Sequence, residues 1–236
     1  MASAPDAPLE QTAVRLKDVS VSLDGPGGRV AILHGVSFYV TRGETVAITG
    51  PSGSGKSTII MVATGLETVE AGSVTIGQQN LADLDEDGLA LFRRDHVGIV
   101  FQSFHLIPTM TALENIAVPL ELAGYAHPFE RAQQELSAVG LQHRATHFPS
   151  QLSGGEQQRV ALARAFAPSP RVIFADEPTG SLDAVTGKAI MDLLFARRDR
   201  DRTTLVLVTH DPVLAAHCDR CIHLEDGCVV TPGISQ

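Results

Sequence analysis

The sequence predicts an α/β fold, and three observations carry that expectation. Short apolar, β-branched runs recur along the chain, at Glu44–Thr49, Arg171–Ala175 and Thr204–Thr209, as they do in strands buried on both faces of a parallel sheet. Segments with apolar residues at helical spacing lie between them, around Leu113, Ile116, Ala117 and Leu120 and again over Phe129–Val139; strands alternating with helices define the class. The first apolar run also passes through a glycine-rich loop into Thr58–Val62, a further helix-forming stretch.

Residues 1–12 are rich in Ala and Pro and read as a flexible tail ahead of one domain over 13–232. Val14–Leu16 and Val19–Val21 alternate weakly as strands, and Val36–Val40 does so clearly. Gly25-Pro26-Gly27-Gly28 marks a turn or hairpin loop. The acidic run Asp83–Asp87 reads as a solvated helix start. The middle of the chain, about 103–167, is the more helical part, and Pro119 is expected to kink the helix over Thr111–Leu122.

Composition narrows the classes of function. The chain has 236 residues, 44% hydrophobic and 19% charged, which suits a folded domain with a substantial core. Against 27 acidic residues stand 18 Lys and Arg, a net charge of −9, and that argues against nonspecific nucleic-acid binding. No apolar run reaches the ~18 residues of a membrane span. The first residues lack the basic and apolar regions of a secretory signal, so a cytoplasmic protein is expected. Three cysteines at 218, 221 and 228 are too few for a disulfide framework. Cys218-x-x-Cys221 raises the question of zinc, but no second pair stands at ligand spacing, and local packing is the favoured reading.

The chemistry starts at Gly50, Pro51, Ser52, Gly53, Ser54, Gly55, Lys56, Ser57 and Thr58. They fit G-x-x-x-x-G-K-[ST] between a strand and a helix, the context that motif requires. Glycines let backbone N–H groups turn inward on phosphate oxygens, and the helix start adds its positive dipole end. Lys56 is expected at the β- and γ-phosphates, and Ser57 on Mg²⁺. A second feature is Asp176-Glu177 at the end of an apolar run. Asp176 suits a magnesium ligand acting through water. Glu177 suits a general base for the attacking water. A third is Leu152-Ser153-Gly154-Gly155-Glu156-Gln157. Ser153 and Glu156 fit a capping box and start a helix, which makes a second anion site in a chain that already has one.

Leu-Ser-Gly-Gly-Glu-Gln resembles the signature motif of ABC ATPases. The resemblance covers roughly Val14–Val230 and implies a P-loop NTPase core with an antiparallel β subdomain and a helical signature subdomain. It also implies ATP and Mg²⁺ as ligands. Gln102 looks like the glutamine that senses Mg²⁺ and couples to a transmembrane partner. Pro178–Asp183 looks like the segment that crosses a dimer, and His210 like the histidine that contacts the γ-phosphate. Ser153, Gly154, Gly155 and Glu156 would close on the γ-phosphate held by a second copy. With each motif present once, the resemblance implies a homodimer in the ATP-bound state.

Phe101–Asn115 and Ala175–Asp183 are similar to the branch that includes the LolD, MacB and FtsE ATPases. That branch implies a transmembrane permease of the FtsX/MacB-like type, export or mechanical transmission, and a place on the inner face of the cytoplasmic membrane through that permease. An importer ATPase working with a solute-binding protein is the alternative. An ABC ATPase acting on ribosomes or DNA is disfavoured by the single motif set, by the lack of coiled-coil heptads and by the negative charge. Phe104, Leu106 and Ile107, beside Gln102, are expected to dock a permease helix or else to fill the helical core. One departure stands out. Most ABC ATPases stack adenine on an aromatic residue, whereas the matching position here is Leu23, and no aromatic residue precedes Phe38.

Overall fold

A computed structural model describes residues 9–25 and 28–230. The chain divides into two compact units, Met1–Ala90 with Thr204–Gln236, and Leu91–Thr203. Of the expected tail, residues 1–8 lie outside the described part; Leu9–Gln11 form one helical turn, and Thr12 begins a strand in which it is buried.

In the first unit, β1 (Thr12–Gly25) and β2 (Gly28–Thr41) form a long antiparallel hairpin. Gly25 pairs with Gly28 at its tip, and the two residues between them lie outside the described part. β4 (Ala71–Ile76) pairs with the other side of β1, and β5 (Gln79–Asn80) pairs with β4. This is the antiparallel subdomain. The two weak alternations at its start are out of phase, yet Val14, Leu16, Val19 and Val21 are all buried. A bulge at Asp18, with φ of 50°, absorbs the extra residue, so that the apolar set returns to the same face. The Asp18 N–H donates to Ser37 Oγ at 2.8 Å, which holds the bulge.

The parallel strands of this unit are β3 (Thr45–Thr49), β8 (Thr204–Val208) and β9 (Arg220–Glu225), with β3 in the middle. β10 (Cys228–Val230) adds an antiparallel edge to β9. All five residues of β8 are buried, as the continuous apolar run predicts. The helices of this unit are α1 (Lys56–Ala63) and α7 (Pro212–Ala216). α2 (Glu86–His96) begins within the acidic run, with Glu86 and Asp87 in its first turn, and contains the boundary between the units.

The second unit holds the parallel pair β6 (Val97–Phe101) and β7 (Val172–Asp176). Its helices are α3 (Ala112–Leu122), α4 (Pro128–Ala138), α5 (Gly154–Phe166) and α6 (Ala184–Asp201). Ile116 and Leu120 of α3, Leu136 of α4 and Val160 of α5 share one buried cluster. α3 starts at a complete capping box, Thr111 with Glu114, and continues through Pro119 to Leu122. A charge pair is enclosed where α4 meets α6. Arg197 Nη1 lies 2.6 Å from Glu135 Oε2, both side chains being 5% exposed or less. Arg131 takes the other oxygen at 2.9 Å, and the Arg197 guanidinium stands 5.0 Å over the Phe166 ring. Removing one partner of such a pair costs about 3–5 kcal/mol, because the other charge is then left buried and unpaired.

Candidate functional site

The phosphate loop follows β3 directly. Gly50 has φ of 148°, and a Cβ there would lie 2.0 Å from Leu224 O; Gly55 has φ of 99° and would press on Leu33 Cδ2 at 2.7 Å. Both turns therefore need glycine. Lys56 is 8% exposed, and its ammonium donates to Gly50 O at 2.9 Å and Pro51 O at 2.7 Å. An ammonium has three donors, so the loop's own carbonyls fix Lys56 and leave a donor for a phosphate oxygen. Pro51, Ser52, Gly53 and Ser57 are exposed, whereas Ser54 and Thr58 are buried. Among the described residues, the Ser54 hydroxyl has no hydrogen-bond partner. Gly55 is the N-cap of α1, and no side chain caps the helix, so its first N–H groups stay available to an anion.

Strand register places His210. Ile48 pairs with Val208, and two residues further on come Gly50 and His210, so the histidine leaves the sheet beside the phosphate loop. His210 is exposed. Behind it Asp211 caps α7, and Thr209 Oγ1 accepts the Asp211 N–H at 3.0 Å.

Register does the same in the second unit. Phe101 pairs with Asp176, so Gln102 and Glu177 are the next residues on adjacent strands. Both side chains approach Gly180, where a Cβ would lie 2.7 Å from Gln102 Nε2 and 3.3 Å from Glu177 Oε2. Glu177 has φ of 42°, an uncommon conformation for a non-glycine residue. The 177–180 turn closes through Gly180 N–H to Glu177 O at 3.0 Å.

The signature helix starts as its sequence dictates. Ser153 is the N-cap of α5, and both halves of the capping box are present. Ser153 and its neighbour Gly154 are at or near the surface, but Gly155 is buried. A Cβ on Gly155 would lie 2.4 Å from Thr186 Cγ2, so this glycine lets α6 approach.

Three residues that the motifs do not reveal hold this machinery in place. Gln158, fully buried, donates to Phe101 O at 3.3 Å and Pro178 O at 2.6 Å, which joins the strand ends of Gln102 and Glu177 to the signature helix. Arg164 donates to His105 O and Phe104 O at 2.6 and 2.9 Å; burial lowers its pKa. Phe104 and His105 both have positive φ, so Arg164 secures a strained turn just after Gln102. Asn115, 1% exposed, accepts the Ile107 N–H at 2.7 Å and donates to Ile107 O, Met110 O and Thr111 O.

The thiols make separate contacts. Cys221 Sγ lies 3.3 Å from Thr49 Oγ1, Cys218 Sγ faces Leu214 O, and Cys228 Sγ faces His34 O. No group of three or more His, Cys, Asp and Glu suited to a metal occurs among the described residues. In the second unit, Asp176 and Gln102 at neighbouring strand ends both carry oxygen donors, the ligand type that suits Mg²⁺ rather than a softer ion.

A phosphate loop, an acidic strand end and a capped signature helix on this fold define an ABC-type nucleotide-binding cassette. The ABC transporter family model matches residues 33–180, and the chain belongs to that family. Among its relatives is the ABC transporter ATP-binding protein YbbA of Escherichia coli K12, 52% identical over 200 residues, which are 84% of this chain and 88% of YbbA. The macrolide export ATP-binding/permease protein MacB of the same organism is 43% identical over 219 residues, 92% of this chain but 34% of MacB. A solved dimer of the ATP-binding cassette MJ0796 with ADP and Pi superposes with a TM-score of 0.85 at 43% identity, over 92% of this chain and 97% of that one. The chain is therefore an ATP-binding, ATP-hydrolysing subunit of an ABC transporter. Cassettes of this kind work as dimers with a membrane permease. Among the described residues, no helix is long and apolar enough to cross a membrane.

Proposed function

We propose that this subunit powers an exporting or mechanically transmitting transporter through a permease of the FtsX/MacB-like type, on the inner face of the cytoplasmic membrane. The likeness to YbbA and to the ATPase part of MacB supports this reading over an importer. In the cycle we infer, the 50–58 loop cradles the ATP phosphates, with Lys56 on the β- and γ-phosphates. Ser57 and Asp176, with Gln102, would hold Mg²⁺, which would supply charge neutralisation to the phosphates when bound. Glu177 accepts the proton of the attacking water, and His210 contacts the γ-phosphate. Ser153–Glu156 meet the γ-phosphate of a second copy, so hydrolysis proceeds in the closed homodimer.

The observation that carries this reading is the paired exit of Gln102 and Glu177 from registered strands, with Gly180 packed against both. Glu177→Gln keeps the shape and removes the base, so a dimer with uncleaved ATP should accumulate. Size-exclusion chromatography with Mg-ATP reads this directly. A variant that binds ATP yet stays monomeric at high concentration contradicts the trans arrangement. Co-purification of the native membrane partner separates export from import.

A further inference from the structure

Arg144 belongs to no motif, yet it reaches the signature helix. Its Nε donates to Glu156 Oε1 at 2.9 Å, and its Nη1 lies 3.2 Å from His147 Nε2. The turn that carries it is fastened to the start of α3, where the Ala112 and Leu113 N–H groups donate to His147 O at 2.8 Å and Ala145 O at 3.0 Å. Arg144 thus presents a fixed cation to Glu156, whose side chain is 13% exposed.

The other oxygen of Glu156 receives two hydrogen bonds from Ser153, from its N–H at 2.8 Å and its hydroxyl at 2.9 Å. Ser153 Oγ in turn accepts the Glu156 N–H at 3.3 Å. A serine hydroxyl has one proton to donate, and here it is donated in a hydrogen bond to the carboxylate. An arriving phosphate therefore meets a negative charge in the first turn of the helix and a serine that is already donating elsewhere. The Ser153 N–H foremost, then the Ser153 hydroxyl and Arg144, hold the Glu156 carboxyl below its ordinary pKa against the effect of burial. The charge is thus present at neutral pH.

Arg144 meets both difficulties. It cancels the carboxylate charge, and by engaging Oε1 it weakens Oε2 as an acceptor. We propose that Arg144 is a positioning residue for the signature serine: it neutralises Glu156, so that Ser153 can turn its hydroxyl hydrogen bond from the carboxylate to the γ-phosphate held by a second copy of the chain. The Ser153 N–H remains on Glu156 throughout, so the helix cap survives the change. The proposal rests on the reading of the signature motif given above.

The test uses the full chain carrying Glu177→Gln, with dimer formation in Mg-ATP followed by size-exclusion chromatography. Adding Arg144→Gln keeps hydrogen-bond donors toward Glu156 and His147 and removes the charge. It should raise the protein concentration needed for half-pairing by roughly tenfold, as expected for coupled charges in contact. Further addition of Glu156→Gln should restore pairing, because no charge then needs cancelling. Mg-ADP binding by the monomer should be unchanged in every variant, as a check on folding. Should Arg144→Gln misfold, Glu156→Gln alone replaces it and should pair at least as readily as the parent, because the charge that Arg144 cancels is then gone; weaker pairing overturns the proposal. Undiminished pairing in Arg144→Gln, or no recovery with Glu156→Gln, overturns the proposal. A parent that stays monomeric overturns instead the trans-site reading, and the proposal with it, so the two failures are told apart.

Discussion

Leu23 lies opposite Val30 near the tip of the β1–β2 hairpin, and Val30 is 52% exposed. Next to it, Arg29 is drawn into an ion pair with Glu70. A leucine there offers a nucleobase apolar cover but no π face, a difference worth roughly 0.5–1.5 kcal/mol. ATP and GTP should therefore compete on nearly equal terms, and Leu23→Tyr should tighten ATP binding several-fold. Titration with both nucleotides checks this; a strong native preference for ATP would place the base elsewhere. At this scale the motif residues were legible because their chemistry is local: Lys56 reaches carbonyls five and six residues away, and Ser153 and Glu156 cap each other within one turn. Gln158 and Arg164 were not legible. They bind backbone carbonyls of Phe101, Pro178, Phe104 and His105, and every residue has a carbonyl, so the partner's identity leaves no mark in the sequence.

Among the elements, α3 is the most informative. Its apolar spacing and its Thr111 start were readable, whereas the work of Asn115 was not, since an asparagine in a helix more often faces water. Its side chain makes four hydrogen bonds to the turn 107–111. Asn115→Ala strands buried polar groups, each costing about 1–3 kcal/mol. It should lower the thermal midpoint clearly and loosen the segment that follows Gln102, seen as faster amide exchange at Ile107. An unchanged midpoint would mean that water satisfies these groups equally well. β1 shows the complementary case. Two short strands were expected at 14–16 and 19–21, and one long strand is formed, because a bulge at Asp18 lets two opposite phases serve one face. Periodicity alone cannot distinguish a bulge from a break.

For the whole molecule, the decisive partner is the permease, and the loop after Gln102 is where the expectation divides. Leu106 packs against the helical core, whereas Ile107 is 37% exposed. Ile107→Asp should therefore release the permease, by roughly tenfold or more if it is a central contact, and leave basal ATPase activity intact. Leu106→Asp should instead destabilise the fold. Pull-down from solubilised membranes, with thermal unfolding alongside, separates the two; unfolding by Ile107→Asp would return that residue to the core. The buried Glu135–Arg197 pair has a consequence for biosynthesis. Glu135 leaves the ribosome roughly 60 residues before Arg197, a lag of about 3–12 s at ordinary translation speed. Until then Arg131 serves one carboxylate oxygen, and the other must stay in water. A nascent chain stalled before α6 should thus hold α4 unsealed and open to proteases, and the arrival of Arg197 is the event that shuts it.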